Sequence, residues 1–297
     1  MWPLLLTIVA TGCAFRATAG APPGTWTYRM PCAVLGLWVG AVLMVPVSAV
    51  AALLILAADR HTPETTQLWS TVPTVGVSAA LLVLSGRIAV RFRRLNRAAR
   101  QRRRRHEMLI DLFAVRHPEL PGVDVVPDAR LFAYSVPCVV SGRIVLSQGT
   151  LDQLDPEPLR AVLAHERAHL VARHHLVLQL ATALAQMFPR LGTGGTATGR
   201  IPTLIEMAAD CRARRRIGRQ HTIDALTVLA GTPVPDGMLA AGHHAVALRL
   251  AVLRRPADCC QAGRAAGVYA AAVAMLALAP TVALLNQIVD LCLPGVA

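Results

Sequence analysis

Long apolar runs frame one polar, motif-bearing stretch of the chain. Residues 32–58 carry no charged side chain, and residues 69–90 carry only Arg87. As helices, at 1.5 Å rise per residue, each is long enough for a hydrocarbon core of about 30 Å. Pro46 and Pro73 fall inside them, which membrane helices tolerate. Residues 2–20 are also apolar, although Arg16 interrupts them, and a last run covers 265–293 with Asn286, Gln287 and Asp290 near its far end. Between these runs the periodicity changes. Met108, Leu109, Leu112, Phe113 and Val115 have helical spacing, and segments 130–136 and 143–147 read as a hairpin joined around Ser141-Gly142. Leu159, Val162, Leu163, Leu170 and Val171 mark an amphipathic helix opened by Asp155-Pro156-Glu157. The helical run is expected to continue through 174–187. A Gly/Thr loop over 192–199 then precedes a helix opened by Pro202. The pattern predicts a mainly α integral membrane protein with about four transmembrane helices. Its domains are an N-terminal membrane region at 1–90 (spans about 2–20, 32–58 and 69–90), an α+β domain at 91–264, and a final transmembrane helix within 265–297.

Composition agrees: 54% of the 297 residues are hydrophobic, too many for an ordinary soluble protein. The formal net charge is +13, and every one of the 30 Lys+Arg residues is arginine. Nine of them lie in 91–105 without an acid. Directly after an apolar run, such a cluster reads as a cytoplasmic topology signal that also meets anionic lipid. Direct nucleic-acid binding is not expected, because no recognition motif accompanies the charge. With the cluster inside, the 59–68 loop lies outside, as does the N-terminus, and residues 2–20 are a retained first span rather than a cleaved signal. The expected location is the cell membrane, multi-pass, with the 91–264 domain cytoplasmic and contacting the bilayer. Seven cysteines without a CxxC pair fit a reducing compartment for that domain.

The chemistry is concentrated in His165-Glu166-Arg167-Ala168-His169. On a helix, residues four apart share a face, so the two imidazoles can grip one metal ion. Glu166 is turned about 100° from His165, outside that ligand pair but near a water on the metal. Imidazole suits Zn²⁺, and a catalytic zinc has three protein ligands and a water whose pKa falls to roughly 7. A carboxylate beside that water can take its proton and return it to a leaving amine, which is amide hydrolysis.

Two patterns compete for the third ligand. His175 stands six residues after His169, but that arrangement normally needs a helix-breaking glycine where Ala172 stands; in a continuous helix His175 faces away. The other takes a glutamate from a later helix, and Glu206 fits. Asp210 lies one turn on, placed to hold a ligand histidine by its free ring nitrogen.

His165 to His169, followed by Glu206-Met207-Ala208-Ala209-Asp210 as ExxxD, resembles the Glu-zincin pattern of the BlaR/MecR-type integral-membrane metallopeptidases. Ala133 to Pro137 and Ile144 to Ser147 resemble that family as well. The resemblance covers about residues 131–216 in its motifs and the flanking spans in pattern only. It implies a zincin-like metallopeptidase domain holding one Zn²⁺ per chain through His165, His169 and Glu206. Glu166 would be the catalytic base, and Asp210 would hold a ligand histidine. It also implies an endopeptidase acting on a cytoplasmic or membrane-proximal protein, such as a winged-helix repressor. No extracellular sensor domain is expected after the last apolar run, a departure from the antibiotic-sensing members. One alternative is an HtpX-type membrane quality-control peptidase, which places spans soon after the motif helix, whereas here the next clear apolar span begins at 265. Another is a non-catalytic zinc-binding membrane receptor or scaffold, for which Glu166 has no use.

Overall fold

The computed structural model describes Tyr28 and residues 30–58, 64–137, 142–188, 193–230 and 239–255. The expected first span at 2–20 and the last within 265–297 lie outside the described residues. The chain divides into two compact units, one comprising Met1–Arg91 with Cys260–Ala297 and the other Phe92–Cys259.

In the first unit, α1 (Pro31–Ala58) matches the second expected span. The third expected span is the beginning of α2 (Glu64–Phe113), a helix of 50 residues. Both helices are long and apolar enough to cross a membrane. Val72 and Val83 are 70% and 63% exposed on α2, and a row of exposed valines is stable where the surroundings are themselves apolar. The arginine run and the 106–113 segment, expected as separate pieces, prolong the same helix. Arginine is among the better helix formers, so charge alone gives the helix no reason to stop.

The second unit is built on a four-stranded sheet in the order β1-β2-β4-β3. Its strands are β1 (Val115–Arg116), β2 (Val123–Val126), β3 (Ala133–Val136) and β4 (Arg143–Ser147). The expected hairpin is the antiparallel β3–β4 pair, with Ala133 opposite Leu146 and Val136 opposite Arg143. β2 runs parallel to β4. Alternation along β4 serves two layers. Ile144 and Leu146 join Val123 against Ala161, Val162 and Leu163 of α4 (Pro156–Val171), while Val145 packs with Ile110 and Val136 on the other face.

Ser147 ends β4 and caps α3 (Gln148–Gln153) by accepting from the Thr150 amide. A Cβ at Gly149 would collide with the Ala129 carbonyl, so this close crossing needs glycine. Asp155 occupies the expected N-cap of α4 with Pro156 behind it, although its side chain makes no cap bond. The remaining helices among the described residues are α5 (His174–Met187), α6 (Thr193–Ile217), α7 (Arg219–Ala230) and α8 (Leu239–Arg254).

Two expectations are corrected. α4 does not continue through Ala172 into the next segment: Arg173, at φ 50°, adopts the left-handed conformation usually left to glycine, and α5 starts anew at His174. The Gly/Thr loop is also shorter than expected. α6 begins at Thr193, so Pro202 stands inside it rather than at its start.

Candidate metal centre

α4 presents His165 and His169 one turn apart, and α6, packed against it, presents Glu206 and Asp210 one turn apart. Buried Ala164 and Ala168 on one helix and Ala208 and Ala209 on the other are small enough for the backbones to approach. The result is a convergence of three donor residues. His165 Nε2 lies 3.1 Å from His169 Nε2 and 3.3 Å from Glu206 Oε2, and His169 Nε2 lies 3.6 Å from Glu206 Oε1. Among the described residues this is the group of His, Cys, Asp and Glu side chains that could hold a metal ion.

The spacing can be tested against the ion. Tetrahedral zinc with bonds of about 2.0–2.1 Å to nitrogen and oxygen sets its ligand atoms about 3.3–3.4 Å apart. The two imidazole nitrogens, 3.1 Å apart, are near that separation, and each has a Glu206 oxygen of its own at 3.3 or 3.6 Å. Ring orientation agrees. His165 Nδ1 is 2.9 Å from Asp210 Oδ1, so that nitrogen donates and Nε2 is left to turn its lone pair toward His169 and Glu206. Two imidazole lone pairs and a carboxylate oxygen meeting at these distances require a cation between them, either protons or a metal. Charge balance favours a divalent one. Glu166, Glu206 and Asp210 would carry three negative charges when ionised, against the single guanidinium of Arg249. The residues present fit zinc.

Two participants escaped the sequence reading. Arg249 of α8 donates through Nε and Nη2 to the two Asp210 oxygens at 2.7 and 2.8 Å, and its Nη1 is 3.2 Å from Glu206 Oε2. This fork locks the carboxylate that orients His165. A lone arginine between Leu248 and Leu250 was the available signal, since a buried charge normally has a partner. His174, buried, places Nδ1 3.1 Å from His169 Nδ1 and so supports the second imidazole as Asp210 supports the first. His175, the rejected third-ligand candidate, lines a separate cavity.

Protonation follows the same contacts. Burial opposes a charge on His165, yet its bonds to Asp210 and Glu206 push it up to about 10 without a metal. Burial lowers His169 to about 4, with Glu206 opposing and His165 reinforcing the shift. Burial also resists charge on the acids, but His165 and Arg249 hold both Glu206 and Asp210 down at about 2. Glu166 behaves oppositely: burial raises its pKa, despite nearby His165 and a hydrogen bond from Ser135. It lines, with His165 and Glu206, a cavity of about 240 Å³ whose rim includes Ala133 of the edge strand β3.

Residues 96–226 match the family model described as Peptidase family M48. The match contains the sheet, the motif helix, Glu206 and Asp210, and it supports a zinc metallopeptidase family. It does not reach the BlaR/MecR type, whereas the HtpX type is itself a member of M48. No curated protein and no solved structure matches the chain.

Proposed function

We propose that this protein is a membrane-bound, zinc-dependent endopeptidase that hydrolyses peptide bonds of a cytoplasmic or membrane-proximal protein. The observation that carries the reading is the placement of half-buried Glu166 in one cavity with His165 and Glu206, two members of the His165–His169–Glu206 donor set. His165 and His169 would hold zinc through Nε2 and Glu206 through its carboxylate. When bound, zinc supplies a Lewis acid that lowers the pKa of water to roughly 7 and polarises a peptide carbonyl.

The chain's own residues supply the rest. Glu166 takes a proton from water and returns it to the leaving amine. Burial raises its pKa, which makes the carboxylate a stronger base for the first transfer. Ser135 donates to Glu166 and keeps it aimed into the cavity. β3 is an edge strand, and an extended peptide adding along it would pass Ala133 and lie across the donor set.

Of the two peptidase types, the M48 match favours the HtpX-like reading, in which damaged or misassembled membrane-proximal proteins are the substrates. The BlaR/MecR-like reading, with a repressor as substrate, rests on the motif resemblance. In either case we place four spans around a cytoplasmic domain at 91–264, with α1 and the apolar part of α2 as the second and third.

Glu166→Gln tests the reading because it keeps size and hydrogen bonding but cannot accept the proton. Full-length protein in detergent or nanodiscs, assayed on an unfolded reporter protein, should lose at least ~10²-fold in cleavage rate while retaining zinc. Cleavage at the parental rate would remove the activity from this site and leave the receptor or scaffold reading.

A further inference from the structure

α2 sorts the nine arginines of 91–105. Arg100, Arg103, Arg104 and Glu107 follow i, i+3, i+4, i+7 along one stripe, one turn after Asn96, and line a cavity of about 330 Å³. Arg97, Arg102 and Arg105 are not among its lining residues. The rest of the wall includes the junction between α4 and α5, with Leu170, Arg173, His175 and Leu176. Four arginines and one glutamate therefore line a single small cavity. An excess of one charge around a cavity attracts a counter-ion, here an anion.

Two independent observations point the same way. The Asn96 side-chain oxygen is buried with no hydrogen-bond partner. Orphaned buried polar atoms are rare in native proteins, and rotating the amide by half a turn would offer an N–H to the cavity instead. The His175 ring registers the local field. Burial first, then Arg103, Arg173 and Arg100, lower its pKa to about 4. It is therefore a neutral hydrogen-bonding group amid the guanidiniums.

We propose that this cavity binds a phosphate-bearing anion, with the guanidiniums of Arg100, Arg104 and Arg173 taking its oxygens and the His175 ring completing the cradle. Arginine forks match phosphate oxygens in geometry as well as charge. The anion comes either from solution or from the headgroup of an anionic lipid, since the arginine run follows an apolar run directly. The site also stands next to the centre. Arg173 is the left-handed residue that starts α5 and immediately precedes His174, which meets His169. An anion held by Arg173 thus stiffens the turn that places His174. That consequence rests on the metal reading; anion binding itself does not.

The test uses full-length protein in phosphatidylcholine nanodiscs titrated calorimetrically with inorganic phosphate. A parallel arm counts phosphatidylglycerol retained from mixed nanodiscs by native mass spectrometry. Arg100→Gln with Arg104→Gln should weaken binding by about tenfold or more, as lost charge-assisted contacts do. Arg102→Gln with Arg105→Gln removes the same charge outside the cavity and should change it less than about twofold. Arg173→Gln, at the junction between α4 and α5, should weaken the same binding, so misfolding of α2 variants cannot imitate the result. Saturable phosphate binding identifies a soluble anion, and retention of phosphatidylglycerol alone identifies the headgroup. Equal effects of the two double substitutions, or binding of neither probe, would overturn the proposal.

Discussion

His165 has a different partner on each ring nitrogen. Nδ1 is committed to Asp210 and Nε2 faces Glu206, so without a metal the ring keeps a second proton up to about pH 10. A cation must displace that proton. His169, pushed down to about 4, adds no second one near neutrality, and Glu206 and Asp210 are already ionised there. A group whose pKa is raised in the metal-free state weakens metal binding as pH falls. Between pH 5 and 6.5, apparent zinc affinity should therefore drop by about tenfold per pH unit, one proton's worth. A chelator-competition titration across that range measures the slope; a flat profile, or two protons, would contradict these assignments. His165, Glu166 and His169 were legible because helical spacing alone puts them together, and Glu206 and Asp210 because ExxxD repeats the one-turn logic. Arg249 and His174 were not. Their partners are distant in sequence or lie across a helix break, and no local period encodes either contact.

Helices were more legible than strands. The Pro31–Ala58 helix and the His174–Met187 helix follow from apolar content alone, whereas β1 and β2, of two and four residues, are too short to establish a period. The end of α4 was missed because helix propensity gives no warning at Arg173: a tertiary contact, His174 against His169, accompanies its unfavourable backbone conformation. A break without glycine still leaves His175 outside the group that could hold a metal, although the premise of a continuous helix did not hold. In the proposed topology the arginines at the end of the apolar part of α2 mark the cytoplasmic side. A reporter fused after Arg105 should read cytoplasm and one fused after Ala297 exterior, by paired alkaline phosphatase and fluorescent-protein fusions. The reverse pattern would move the peptidase domain, and its substrates, to the other side of the membrane.

Across the whole molecule, one compact unit carries helices suited to a bilayer and the other carries the donor set, the proton-accepting carboxylate and the edge strand. Among the described residues the two long apolar helices were legible because hydropathy sets them apart from the rest of the chain. The packing of α6 and α8 onto α4 was not, since it depends on side chains far apart in sequence. In the proposed reading a single metal ion would tie the site together, held by residues of two helices, with α8 supporting them through Arg249. The most direct measurement is elemental analysis of purified full-length protein alongside Glu206→Ala and His175→Ala. A zinc peptidase of this geometry requires about one zinc per chain in the parent and in His175→Ala, and a loss of most of it in Glu206→Ala. A parent without zinc, or a Glu206→Ala variant that keeps its full complement, would contradict the assignment.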